Sequence, residues 1–270
     1  MAYTEWLPDR RAKDEGRLHL HSRFPSRYLS TPRNIVVYLP PGYDAAARYP
    51  VFYLQDGQNL FDPATAFNGQ DWRADMVADQ LIVSGAIEPI LMVGVYNTGV
   101  RRISEYTPTR DARMRKGGKG ARYAQMLARE LKPFIERKYA AKRAAADTAL
   151  GGSSLGALAS LAAGLLYPRV FGKLAVMSPS VWWDQRSILR MVRAFKASAR
   201  PRIWLDTGTE EGESAQQALD DTRLLRDALL EMGWREGVDL SYMEVTGAGH
   251  NELAWGGRFG EVLQYFFRKG

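Results

Sequence analysis

The chain has 270 residues, 46% hydrophobic and 25% charged, as expected of one large folded domain with a substantial core. It contains no cysteine, which excludes disulfides, thiolate metal sites and a cysteine nucleophile and fits a reducing compartment. Lys and Arg outnumber Asp and Glu by 37 to 30, a formal charge of +7 that favours anionic small molecules; the basic residues are scattered, accompany no nucleic-acid recognition motif and imply no nucleic-acid partner.

The first residues, MAYTEWLPDRRAKDEG, lack an apolar h-region, and no apolar run spans a bilayer, so the expectation is a cytoplasmic chain without signal peptide or membrane contact. RLHLHSRF alternates apolar and polar residues, so 1–23 reads as an extension with an edge strand and 24–270 as a single domain. NIVVYLPPGYD is a strand stopped by Pro40-Pro41-Gly42. YPVFYLQDGQNLFD begins as a short apolar strand, the kind a parallel sheet buries on both faces, and breaks into a polar loop. WRADMVADQLIVSG has helical spacing up to Gly85, and EPILMVGVYN is another buried strand.

RDARMRKGGKGARY, from Arg110, is the densest basic cluster and reads as a solvated or substrate-facing loop. ARYAQMLARELKPFIERKYA is an amphipathic helix in which Pro133 predicts a kink or break. Strand and helix then alternate four times: DTALGGSS before LGALASLAAGLLYP, FGKLAVMSPS before QRSILRMVRAFKAS, RPRIWLDTGTEEGE before ESAQQALDDTRLLRDALLEMG, and VDLSYMEVTGAGHNE before LAWGGRFGEVLQYFFRKG. The alternation predicts an α/β fold with a single doubly wound, mostly parallel sheet and helices on both faces.

In this frame, Gly152-Ser153-Ser154-Leu155-Gly156 is a strand-to-helix turn of G-x-S-x-G type. A strained backbone there presents a hydroxyl at the carboxyl ends of the strands, and the flanking glycines let strand and helix approach. Centring on Ser153 puts Leu155 where a glycine is needed, so Ser154 is the candidate nucleophile and Ser153 a turn or capping hydroxyl. A serine needs a base. His19 and His21 sit on the edge strand, whereas His250 follows the last strand on a glycine-rich loop and fits the order serine, acid, histidine.

The acid is expected in IWLDTGTEEGES, which supplies Asp206, Glu210, Glu211 and Glu213; spacing alone does not choose among them, and Glu211 at the loop tip is put ahead of Asp206 at the strand end. An oxyanion hole needs two backbone N–H groups, expected from Leu155 and, beyond Gly57, from Gln58. Trp182 and Trp183 follow a strand at the same rim and are candidates to stack on a substrate; Trp72, like Trp255, is a weaker one that also suits the core. Arg101 and Arg102 are candidates to receive a substrate anion, or else to pair with Glu105 or Asp111.

VYLPPGYDAAARYPVFYLQDGQNLFD, VGVYNTGVRRISEYTP, GGKGARYAQMLARELKPFIERKY, LGGSSLGALASL, MSPSVWWD, LDTGTEEG and GAGHNELAW together resemble the Putative esterase family of α/β-hydrolases, over residues 24 to 268. Its relatives include enterochelin esterases, feruloyl and acetylxylan esterases, S-formylglutathione hydrolase and mycolyltransferases. The resemblance implies an α/β-hydrolase fold with no separate lid domain, Ser154 as nucleophile, His250 as base, and Gln58 and Leu155 as oxyanion donors. The family's acid is commonly an aspartate three residues after a glycine, a position held here by Glu211, one methylene longer. The expected activity is that of a serine carboxylesterase without metal or organic cofactor, acting on a small ester of aromatic, sugar or siderophore type. An acyltransferase with the same triad, or a non-catalytic binding protein of this fold, are the competing readings.

Overall fold

The structure, a computed structural model, describes residues 17–269. The extension at residues 1–16 lies outside the described residues, and with it the expectation about a signal peptide. No helix among the described residues is long and apolar enough to cross a membrane.

Eight strands form one sheet: β1 (Leu18–Phe24), β2 (Arg33–Tyr38), β3 (Val51–Gln55), β4 (Leu91–Val95), then, after a small hairpin of β5 (Arg110–Asp111) and β6 (Lys116–Gly117), β7 (Thr148–Ser153), β8 (Lys173–Met177), β9 (Arg202–Gly208) and β10 (Leu240–Val245). Their spatial order is β1-β2-β4-β3-β7-β8-β9-β10. β2 runs antiparallel to both β1 and β4, and every other pairing is parallel. β1 is thus an edge strand of the same sheet.

The helices are α1 (Ala74–Val83), α2 (Arg102–Tyr106), α3 (Gly120–Met126), α4 (Lys132–Lys138), α5 (Leu155–Leu166), α6 (Trp183–Arg193), α7 (Ala215–Glu231) and α8 (Glu252–Phe267). Two cores follow from strand alternation. Phe52, Leu54, Met92 and Ala149 face one side, under α1 and α8 with Val77, Phe259 and Phe266. Val51, Tyr53, Val93 and Leu150 face the other, under α3 to α7 with Leu127, Leu158, Ile188 and Leu225. The sheet is therefore doubly wound, and its central strands read as continuous apolar runs because both faces are covered.

Pro133 does not break its helix. A π-helical stretch, Leu127–Leu131, joins α3 to α4, and Pro133 then falls in the first turn of α4, where its missing N–H leaves no gap. The segments that leave the carboxyl ends of β3, β4, β7, β8, β9 and β10 converge on one rim, where open α/β sheets place their sites.

Candidate active site

Ser154 joins β7 to α5 with φ 57° and ψ −124°, a conformation sparsely populated by residues with a side chain. Its N–H donates to the Met177 carbonyl at 3.0 Å, and its carbonyl accepts from Leu158 and Ser180 at 3.2 Å each. The flanking glycines are required by space. A Cβ on Gly152 or on Gly156 would sit 2.9 Å from the Gln55 Cβ, because β3 runs alongside the turn. So held, Ser154 Oγ lies 2.9 Å from His250 Nε2.

His250 Nδ1 lies 2.9 Å from Glu211 Oε2. The imidazole side chain is 38% exposed and rests edge-on against Trp255, with ring centroids 4.9 Å apart. The Glu211 side chain is buried, and its other oxygen accepts from the Gly208 N–H at 2.7 Å and from Ser178 Oγ. Burial pushes this carboxyl up, but the hydrogen bonds from His250, Ser178 and Gly208 outweigh it and hold Glu211 below its ordinary value, so the anion is favoured. Serine, histidine and Glu211 therefore form one continuous hydrogen-bonded line.

Asp206 stands apart from that line. It lies inside β9, fully buried, and accepts from Arg258 Nε at 3.0 Å, Arg258 Nη2 at 2.9 Å, Trp204 Nε1 at 2.6 Å and the Ser178 N–H at 3.3 Å. Burial pushes its carboxyl up against the pull of Arg258 and Trp204. Between the two acids sits Ser178, whose hydroxyl donates to Glu211 and accepts from Trp255 Nε1 at 3.0 Å and Arg258 Nη2 at 2.7 Å. Ser178 and Arg258 thus brace the carboxylate that holds the histidine. Neither carries a local sequence signal, since Arg258 lies 80 residues from Ser178.

Gln58 occupies the single turn Gly57–Asn59 after β3, and its side-chain oxygen accepts from the Asn97 N–H at 3.2 Å. Among the described residues the backbone N–H groups of Gln58 and Leu155 take no partner, leaving both available to an oxyanion. The turn is fixed by Asp56, which is left-handed at φ 54° and whose carboxylate receives Arg102 Nε at 2.8 Å, Arg102 Nη2 at 2.7 Å and Asn97 Nδ2 at 2.8 Å. Arg102 is therefore committed to a bidentate pair inside the protein. Its expected partners are elsewhere: Glu105 is bound by Arg33 at 3.1 Å, and Asp111 accepts from the Met114 N–H at 2.7 Å. Arg101 remains exposed.

The tryptophans divide. Trp72 is buried against Trp255 and Phe259, and Trp183 is buried with Nε1 donating to the Thr109 carbonyl at 3.0 Å. Neither side chain is free to stack on a substrate, which corrects the expectation for both. Trp182 is 48% exposed at the same rim and is free to do so. His19 and His21 share the Tyr139 hydroxyl on the edge strand, far along the sheet from Ser154.

The family model described as Putative esterase matches residues 26–266. The protein YbbA of Bacillus subtilis (strain 168), which is uncharacterized, is 26% identical over 254 residues, covering 90% of this chain and 96% of its own. The siderophore enterobactin esterase of Emericella nidulans is 31% identical over 110 residues, 38% of this chain and 36% of that one. Among solved structures, the enterobactin esterase FES of Shigella flexneri, determined with enterobactin, superposes with a TM-score of 0.75 at 22% identity. That match covers 93% of this chain and 59% of the Shigella protein, so this chain spans little more than half its length. By sequence family and by fold, the chain belongs to the Putative esterase family of α/β-hydrolases, as a hydrolase acting on ester bonds.

Proposed function

We propose that the protein is a serine carboxylesterase working through an acyl-enzyme, with Ser154 as nucleophile, His250 as general base and acid, and Glu211 as the carboxylate that orients His250. The observation that carries this reading is the line Ser154 Oγ–His250 Nε2–Glu211 Oε2, both steps 2.9 Å, with the serine on a strained turn. His250 takes the Ser154 proton as Oγ attacks the ester carbonyl, and the imidazolium is stabilised by Glu211. The Gln58 and Leu155 N–H groups hold the tetrahedral oxyanion. The alcohol leaves with the proton from His250, and a water deprotonated by the same nitrogen releases the acid.

The partial exposure of His250 favours hydrolysis over transfer, since bulk water reaches the base directly. Trp182 beside the site suits an aromatic or sugar-bearing ester. The similarity to siderophore esterases brings a siderophore-type ester into the same class of small-molecule substrates.

The test is a panel of 4-nitrophenyl acetate, butyrate and octanoate, methyl ferulate and acetylated xylose, assayed with wild type and Ser154→Ala. The reading requires turnover by wild type and its loss, by about 10⁴-fold or more, in a folded Ser154→Ala. Turnover that survives in Ser154→Ala rejects it.

A further inference from the structure

The cluster of cations at Arg110 to Lys119 folds into a defined structure. Arg110, Arg115, Lys116 and Lys119 line a half-open cavity of about 360 Å³ together with Val100, Ile103, Ser104 and Gly117. Its size lies in the ~300–1,000 Å³ range of small-molecule sites. Among the described residues none of the four cations is ion-paired with a carboxylate: Asp111 beside them is turned to the Met114 N–H, and Glu105 beneath them is held by Arg33. Four unneutralised cations around one concavity concentrate positive potential there.

The walls are locked in place. Trp183 supports the hairpin β5–β6 from below through its bond to Thr109, and a Cβ on Gly117 would meet the Trp183 ring at 2.5 Å. The Lys119 N–H donates to the Ser104 carbonyl at 2.9 Å, and the Gly118 N–H to Thr107 Oγ1 at 3.3 Å. Val100, 98% exposed, adds an apolar lip to the charged wall.

The position of the cavity relates it to the chemistry. α2 packs on α5, the helix that starts at Ser154, and also on β6. From α2, Arg102 reaches the Asp56 turn beside Gln58, while Ile103 and Ser104 line the cavity. The cavity and the Asp56 turn thus flank the same short helix, α2.

We infer that this cavity is a specificity subsite for an oxyanion carried by the ester substrate across α2 from the Asp56 turn. The inference rests on the esterase reading for its substrate, and the buried Trp183 becomes the support of a recognition hairpin. Arginine forks and lysine ammonium groups bind carboxylate or other oxyanions by charge-assisted hydrogen bonds, and the apolar lip accommodates the chain between ester and anion.

The test compares mono-4-nitrophenyl suberate, which ends in a carboxylate, with 4-nitrophenyl octanoate, which ends in a methyl group. The readout is the ratio of their kcat/KM values in wild type, Arg110→Ala/Lys116→Ala and Arg110→Glu/Lys116→Glu. The expected result is a ratio that falls about tenfold or more in the alanine variant, further in the glutamate variant, and with rising salt in wild type. A ratio unchanged across the three proteins overturns the inference. If wild type hydrolyses neither ester, suberate itself is titrated calorimetrically into Ser154→Ala with and without the cavity substitutions. Suberate binding weakened about tenfold by the substitutions then supports the subsite independently of turnover, and equal or absent binding rejects it.

Discussion

Asp206 and Glu211 offer two carboxylates within six positions, and their substitutions are expected to fail in different ways. Asp206→Ala removes the acceptor of two Arg258 hydrogen bonds, one from Trp204 and one from the Ser178 N–H. It leaves the Arg258 guanidinium, 4% exposed, without its hydrogen-bonded carboxylate and with only Glu211, at 3.9 Å, as counter-charge. Breaking a buried pair from one side costs about 3–5 kcal/mol. For a domain of this size, each kcal/mol corresponds to about 2–4 °C, so the melting temperature is expected to fall by roughly 6–20 °C. Removing Arg258 as well, in Asp206→Ala/Arg258→Met, should recover most of the loss, since the buried guanidinium that lost its hydrogen-bonded carboxylate is then gone.

Glu211→Ala leaves the Asp206–Arg258 pair intact and should change stability less, while kcat falls by about 10⁴-fold through loss of the group that orients His250. The assays are thermal denaturation of all four proteins and ester turnover well below the lowest melting temperature. If Asp206→Ala melts like wild type yet loses turnover, while Glu211→Ala keeps it, the assignment of the two acids is reversed and the reasoning fails.

Two further outcomes follow from backbone strain and from ionisation. Ser154→Gly and Ser154→Ala should both be inactive, but glycine relieves the positive φ, so it is expected to melt about 2–4 °C above the alanine variant, a gain of about 1 kcal/mol; equal melting temperatures would mean an unstrained turn. Glu244 is held at about 2 by hydrogen bonds from Arg223 and Tyr242, against an ordinary value of 4.5. Its folded value is depressed, so the stability it contributes is present above pH 4.5 and fades as pH falls towards 2. The melting-temperature gap between wild type and Glu244→Gln should therefore be open at pH 6 and closed near pH 2; a gap that persists at pH 2 refutes the linkage.

The Ser154 turn was legible because its demands are local. Two glycines flanking a serine at a strand-to-helix junction encode a turn pressed against a neighbouring strand, and Gly152 and Gly156 do lie against Gln55. His250 could be found by elimination, with three histidines in the chain and two of them on an edge strand. The acids could not be separated by spacing alone, because what distinguishes them is a tertiary partner: Arg258, 52 residues beyond Asp206, takes that carboxylate into a buried pair. Arg102 illustrates the same limit, since nearby acids in sequence suggest themselves while the carboxylate that binds it is 46 residues upstream. Trp182 and Trp183 are neighbours in sequence with opposite fates, one turned outward and one buried under a hairpin, and no periodicity distinguishes them. Pro133 reads as a kink in the sequence, whereas the chain absorbs it by widening the preceding turn.

The loops after β9 and β10 are stitched to each other. The Thr209 N–H donates to the Val245 carbonyl, the Glu210 N–H to the Ala248 carbonyl, and the Gly247 N–H to Thr209 Oγ1. Glu211 and His250 thus share one scaffold, and among the described residues the Oγ–Nε2 bond is the only hydrogen bond tying the Ser154 turn to the histidine loop. In the proposed mechanism Oγ comes to carry an acyl group and that bond is gone, yet nothing that fixes the imidazole is lost with it. The imidazole proposed as base would keep its aim through the interval between the two half-reactions, ready to receive a proton from the incoming water. The bond that such a mechanism surrenders at every turnover is the one on which the scaffold does not depend.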